Sequence, residues 1–319
     1  MKHATWKSPL IYLLSFLVVM FLIFILVYRV GGETVLPNSA DLSLQIKNSG
    51  VNPPRVEEMP GAYLKWLAKA VRLEFGTSLS WHRPVSELIL PRLWNSILLN
   101  LFSLFLIFSG GLTLGSFLAY HTPQAGHPLE SLLYLLYAIP DFVLGVGLLS
   151  IFAFHLHWFP SCCLHSFNLH VNGPLQNTAD VLYHLVLPGV TLSASGIVFI
   201  TRFTKSSLDE ILNAPFVFAL KSRGLPRRIV LRHVLKNGIF PFLTMAGFII
   251  PAIVSGAVVV ESLFSFPGIG KTFFDAVLTR DYPVILAVVF IDTLFVFFGL
   301  ITSNFLYRHF DPRVKNANS

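Results

Sequence analysis

The stretch LWNSILLNLFSLFLIFSGGLTLGSFLAY, Leu93–Tyr120, holds no charged residue over more than the length a helix needs to cross a bilayer. A hydrocarbon core about 30 Å thick takes roughly 20 apolar residues as α-helix. Five further stretches meet the same condition: Pro9–Tyr28, Leu132–Phe154, Leu182–Thr201, Ile239–Val260 and Val284–Leu306. Across all six the only acids are Asp141 and Asp292, and Lys and Arg are absent. The pattern predicts an all-α membrane protein with six transmembrane helices.

Composition agrees. Of 319 residues, 54% are hydrophobic and 12% charged, against about 25% charged in an ordinary globular domain. Too little polar surface exists to face water, so lipid must solvate most of the chain. The net charge of +7 does not point to nucleic acid, because the charges flank the apolar runs instead of forming one patch. The two cysteines, Cys162 and Cys163, are adjacent, and neighbours rarely form an unstrained bridge, so no disulfide framework is expected.

Lys2 and Lys7 precede the first run as in a secretory signal. The apolar core is too long for one, and Arg29-Val30-Gly31 is not a small-x-small cleavage site. Residues 1–29 therefore read as a retained transmembrane anchor. Direction follows from the positive charges of the short loops. Between the fourth and fifth runs lie Arg202, Lys205, Lys221, Arg223, Arg227, Arg228, Arg232 and Lys236, against Asp209 and Glu210. With Lys2 and Lys7 at the head and Arg308, Arg313 and Lys315 in the tail, this places loop 202–238, the tail 308–319 and both termini in the cytoplasm. Residues 30–92 then form an extracytoplasmic segment, and 93–307 a five-helix core. Within Ala62–Phe75, the residues Tyr63, Leu67, Ala70 and Phe75 approximate one apolar helical stripe, as in a helix lying on the membrane or on other spans.

The loop reading NAPFVFALKSRGLPRRIVLRHVLKNGIFP, Asn213–Pro241, carries the most information. Pro215 suits a first helical turn, Gly224 is placed to stop that helix, and Pro226 can start a second. Ile229, Val230, His233 and Val234 are expected on one face of the second helix. Two short Arg-rich helices at a sharp angle make a docking surface; the bland alternative is an ordinary positive-inside loop.

Gly224, followed nine residues later by His233 and then by Pro241, resembles the cytoplasmic loop of binding-protein-dependent ABC importer permeases. The family's Glu-Ala-Ala triplet would fall at Phe218-Ala219-Leu220, where only the central Ala is kept, as in the peptide/nickel branch. FGTSLSWHRPVSELILPRLWNS (Phe75–Ser96), HLVLPGVTL (His184–Leu192), VESLFSFPGIGKTFFDAVLTRDYPVI (Val260–Ile285) and DPRVK (Asp311–Lys315) are similar to stretches of that branch in the same order. The resemblance implies the type I importer architecture and the first of two permeases in a dipeptide, oligopeptide or nickel importer. It implies as partners a second permease, two cytoplasmic ATPase subunits and a periplasmic or lipid-anchored substrate-binding protein. ATP would be used by the ATPases, with no cofactor bound by this chain. Phe216, Ala219, Leu220, Arg223, Gly224, Leu225, Arg228 and His233 would carry the coupling. Glu261 matches a family position and is expected to fix the adjacent loop, which holds Pro267, Gly268 and Gly270.

Other motifs are weaker. Gly268-Ile269-Gly270-Lys271-Thr272 ends like a phosphate-binding loop, but Ser265 stands where the first glycine belongs. His155, His157, Cys162, Cys163, His165 and His170 share one loop and offer borderline-soft ligands without a fixed geometry, so a polar connector anchored by Trp158 and Phe159 is the plainer expectation. Asp141 and Asp292, costly to ionise in lipid, should face a pore or a helix partner. A proton-coupled transporter using those two acids, or a membrane metalloprotease, are the rival classes. The first shows no pair of broken helices in matching halves, and the second lacks a His-Glu-x-x-His helix.

Overall fold

The computed structural model describes residues 7–33, 59–121, 128–166, 174–226, 229–230, 232–234, 249 and 252–310. The elements are α1 (Lys7–Glu33), α2 (Met59–Ala70), α3 (Val85–His121), α4 (Pro128–Ala138), α5 (Asp141–Leu148), which runs on as a π-helical segment Leu149–His155, α6 (Pro174–Leu212), α7 (Pro215–Ser222), α8 (Val258–Leu263), α9 (Ile269–Leu278) and α10 (Tyr282–Phe310). Among the described residues there is no strand, only an isolated bridge between Thr77 and Pro84.

Among the described residues, three helices are long and apolar enough to cross a membrane: Val85–His121, Leu175–Leu212 and Tyr282–Thr302. Their outer faces carry exposed Leu101 and Phe105 on α3, Phe199 on α6 and Phe298 on α10, as lipid contact requires. The third expected span departs from a simple helix. Pro128–Ala138 and Asp141–His155 meet at 97°. Pro140 has no N–H to donate and pushes Ile139 away from helical backbone, so the chain turns there; the broken pair counts as a fourth crossing only if its halves are taken together. The first span corresponds to α1, whose described side chains run Ile11–Val27. The fifth, Ile239–Val260, lies largely outside the described residues, as does the tail Asp311–Lys315.

The centre of the fold is the pairing of α3 with α6. A Cβ on Gly115 would stand 2.5 Å from Thr204 Cβ and 2.6 Å from the Thr201 carbonyl oxygen, and one on Gly189 would stand 2.4 Å from Phe102. Bare backbone at these points lets the helices close to contact distance, which in lipid supplies the dispersion that no hydrophobic effect provides. A second core joins α1, α2 and α10 through aromatic rings. Phe24 and Tyr63 lie 5.6 Å apart between centroids, Trp66 and Phe290 5.8 Å, and Phe75 and Phe290 5.9 Å. The Tyr63 hydroxyl donates to the Leu17 carbonyl at 3.1 Å. The amphipathic segment thus lies on other spans. Its helix is shorter than the stripe suggested: α2 stops at Ala70, Leu73 takes a φ of 63°, and Phe75 reaches the core only after that reversal.

Candidate coupling site

α6 passes into α7 across only Asn213 and Ala214. The Asp209 carbonyl accepts from both the Asn213 backbone N–H at 3.3 Å and its side-chain amide at 2.9 Å, which fastens the last turn of the helix. Ala214 is extended and Pro215 opens α7, where a missing N–H costs nothing. At the far end the Arg223 N–H donates to the Ala219 carbonyl and the Gly224 N–H to the Lys221 carbonyl. Gly224 has a φ of +72°, the left-handed corner expected from its position. Leu225 follows, and Pro226 starts the next helical turn by accepting from the Ile229 and Val230 N–H groups.

This corner is fastened from beneath. Val217 and Val234 are wholly buried, and with Val230, Leu208 and Ala119 they form a small core flanked by Leu220 and Leu225. Phe216, Phe218, Ala219, Arg223 and His233 face outward, and Phe218 keeps 75% of its surface exposed. Two expectations change. Leu220 and Leu225 anchor the corner and do not belong to its outer face. In the second helix the buried face is Val230 and Val234, whereas Ile229 and His233, also four apart, stand on an exposed face beside it. Arg228 lies outside the described residues. Phe218, not among the expected coupling residues, is the most exposed apolar group on that face, ahead of Phe216; its place in the triplet register was the available signal.

The opposite end is held by Glu261, fully buried in α8. Its Oε1 accepts from the Ser96 hydroxyl at 2.7 Å and the Ala257 N–H at 3.2 Å, and its Oε2 from the Lys271 N–H at 2.8 Å. The Gly270 N–H adds a further bond, and Ser96 in turn accepts from the Ile269 N–H at 2.8 Å. The first N–H groups of α9 therefore converge on a carboxylate and its helper hydroxyl. A helix N-terminus favours an anion there, and here the chain supplies its own, which accounts for the phosphate-loop look of Gly268–Thr272. Gly268 must stay bare, since a Cβ would fall 2.4 Å from the Glu261 carboxyl. The Pro267 carbonyl accepts from Asn95 at 2.8 Å. Asn100 donates to both the Ile253 and Ser255 carbonyls, at 3.0 and 2.9 Å, where the chain breaks from helix before α8. Nearby, buried Asp281 accepts from the Ser78 hydroxyl at 2.5 Å and the Ser80 N–H at 3.0 Å. Two of the family-like stretches, 203 residues apart, are thereby tied together.

The intramembrane acids are not brought into one site. Asp141 begins α5 at the Pro140 break and accepts from Ser195 of α6 at 3.5 Å. Asp292 sits in α10 with its Oδ1 buried and without a hydrogen-bond partner. Among the described residues no group of three or more His, Cys, Asp or Glu is placed to hold a metal. His155 ends the π-helical segment, His157 has a φ of 54°, and His165 turns to Asp180 at 3.6 Å. The Cys162 hydrogen bond, with burial, pushes the Cys163 thiol up to about 11, so it is a thiol and a poor ligand near neutrality. His170 lies outside the described residues.

Apolar helices of spanning length, closed on one another at glycines, mark a membrane protein. The chain belongs to the family described as binding-protein-dependent transport system inner membrane component, which residues 111–316 match; it is a multi-pass permease component of a transporter complex and not itself an enzyme. It is 34% identical over 283 residues to the oligopeptide transport system permease protein AppB of Bacillus subtilis, covering 87% of this chain and 86% of that one. The dipeptide transport system permease protein DppB of Alkalihalophilus pseudofirmus shares 31% over 301 residues, with 89% and 88% covered. The glutathione transport system permease protein GsiC of Salmonella typhimurium shares 28% over 310 residues, with 94% and 95% covered.

Proposed function

We propose that this chain forms half of the translocation pathway of an ATP-driven importer of di- or oligopeptides in a bacterial inner membrane. It would cross six times with both termini in the cytoplasm, and work with a second permease, two ATPase subunits and a substrate-binding protein. The observation that carries the coupling role is the corner at Gly224, an exposed Phe216, Phe218, Ala219 and Arg223 face whose underside is bolted to α3 and α6 through Val217. Displacing that face displaces α6, since two residues separate them, and α6 is packed along α3. ATPase closure would thus reach the membrane as movement of one helix pair against its surroundings. Peptide cargo is supported by the names of the relatives, three of which carry oligopeptide, dipeptide or glutathione transport.

Cells lacking this chain should lose energy-dependent uptake of radiolabelled peptides down to background, and regain it from a plasmid copy. Undiminished uptake of every peptide length tried would refute the assignment. Sidedness has its own check, with Cys162 and Cys163 first replaced by serine. A cysteine at Asn177 should react with an impermeant thiol reagent on intact cells, and one at Ser222 only after the membrane is opened. Labelling of Ser222→Cys from outside would invert the orientation and remove the ATPase from reach of α7.

A further inference from the structure

Between α4 and the end of α6 that leads into α7 lies a cleft of about 650 Å³, inside the ~300–1,000 Å³ range of small-molecule sites. Its ionisable groups are two cations, Arg202 and Lys205, and two anions, Glu130 and Asp209. Arg202, Lys205 and Asp209 recur at helical spacing on one face of α6. Lys205 is ion-paired with Glu130 of α4, the two side chains only 15% and 11% exposed. The Arg202 guanidinium lies over the Tyr134 ring, 4.8 Å from its centroid. Thr201, also on the cleft wall, is wholly buried, and its hydroxyl has no hydrogen-bond partner.

We infer that this cleft binds a free peptide as a zwitterion, its ammonium end on Glu130 and Asp209 and its carboxylate end on Lys205 and Arg202. A ligand of one sign would draw off one member of the Lys205–Glu130 pair and leave the other nearly buried and unpaired, which is strongly unfavourable. A ligand of both signs replaces each partner with an equivalent one, so the pair opens at no net loss of charge pairing. A peptide brings both charges on its backbone ends whatever its side chains are, and the aromatic wall at Tyr134 accepts side chains by stacking or apolar contact. The site rests on the peptide-importer assignment and deepens it, placing a holding point for cargo directly beside the helix that enters α7.

The test uses the complete importer, with its binding protein and ATPases, in nanodiscs, and benzoyl-phenylalanine in place of the cleft residue Tyr137. Radiolabelled tri-alanine should be crosslinked on irradiation. Unlabelled tri-alanine should suppress the adduct, while its N-acetylated and its C-amidated forms, each lacking one charge, should do so about tenfold less well or worse, equivalent to ~1.4 kcal/mol. The double variant Glu130→Gln/Lys205→Gln should lose the adduct. Equal competition by the blocked peptides, or an unchanged adduct in the double variant, overturns the zwitterion site. So does an adduct with phosphatidylethanolamine of the nanodisc that tri-alanine does not displace, which would make the occupant a lipid headgroup. ATP-driven transport of di-, tri- and penta-alanine is measured on the same complex in proteoliposomes. Transport of tri-alanine without an adduct removes the site and leaves the importer assignment standing; transport of none of the three removes both.

Discussion

Replacing Gly224 by valine should abolish uptake of radiolabelled peptide while leaving the amount of protein in the membrane unchanged. The reason is backbone geometry and not space. A Cβ at Gly224 meets nothing within 4 Å, but the residue sits at a φ of +72°, where an L-residue carries about 1–2 kcal/mol of strain and a β-branched one the most. The hairpin is small, its core resting on Val217, Val230 and Val234, so it relieves the strain by reorienting the two short helices. Phe218 and Arg223 then leave their places while the spans stay inserted. Asparagine tolerates left-handed backbone, so Gly224→Asn should retain most uptake and Gly224→Ala an intermediate level. ATP hydrolysis stimulated by loaded binding protein should follow the same order. Wild-type uptake by the valine variant would remove the physical basis for coupling through this corner. An asparagine variant as inactive as valine would point instead to direct contact of a partner with the glycine.

Glu261→Leu should fail differently, by loss of the folded protein. Four donors converge on the carboxylate, from Ser96, Ala257, Gly270 and Lys271. Each buried donor left unpaired costs about 1–3 kcal/mol, so the leucine variant should lose on the order of 4 kcal/mol or more. The isosteric Glu261→Gln should not rescue it, because its amide NH2 would confront N–H donors. The measurement is thermal denaturation of the purified permease in nanodiscs, with membrane abundance alongside. Both variants should melt earlier than wild type, glutamine less so than leucine, and both should be depleted from the membrane. An unchanged melting temperature for the leucine variant would mean that the loop before α9 is held by packing alone.

Long apolar runs such as Leu93–Tyr120 and Val284–Leu306 could be read directly, because lipid asks the same of nearly every residue of a span, an apolar side chain on a continuous helix. The left-handed corner at Gly224 was legible for a comparable reason: a helix start, a glycine stop and a second proline start are each local. What escaped was what depends on a distant partner. Ser96, Asn100 and Ser103 occupy one face of α3, and that stripe is visible in the sequence. Its role becomes evident only when its partners arrive, the N-terminus of α9 for Ser96, the broken chain near Ser255 for Asn100 and the Gly189 carbonyl of α6 for Ser103. The exposed side of the second short helix was misjudged because Ile229 and Val230 are equally apolar, and only the neighbouring α3 and α6 decide which is covered. The break at Pro140 was in plain view, yet prolines also sit within α3 and α6, at Pro91 and Pro188, without ending either helix.

That break has a consequence for the surrounding bilayer. Asp141–His155 rises only about 22 Å at 1.5 Å per residue, well short of the ~30 Å hydrocarbon thickness. Taken with α4, which lies crosswise to it, as one crossing, the segment would require the membrane beside it to thin or to admit water toward Pro140. Asp141 stands at the bend, as the first residue of this segment. Water or headgroups drawn in at the bend would reach that position before any other part of the segment.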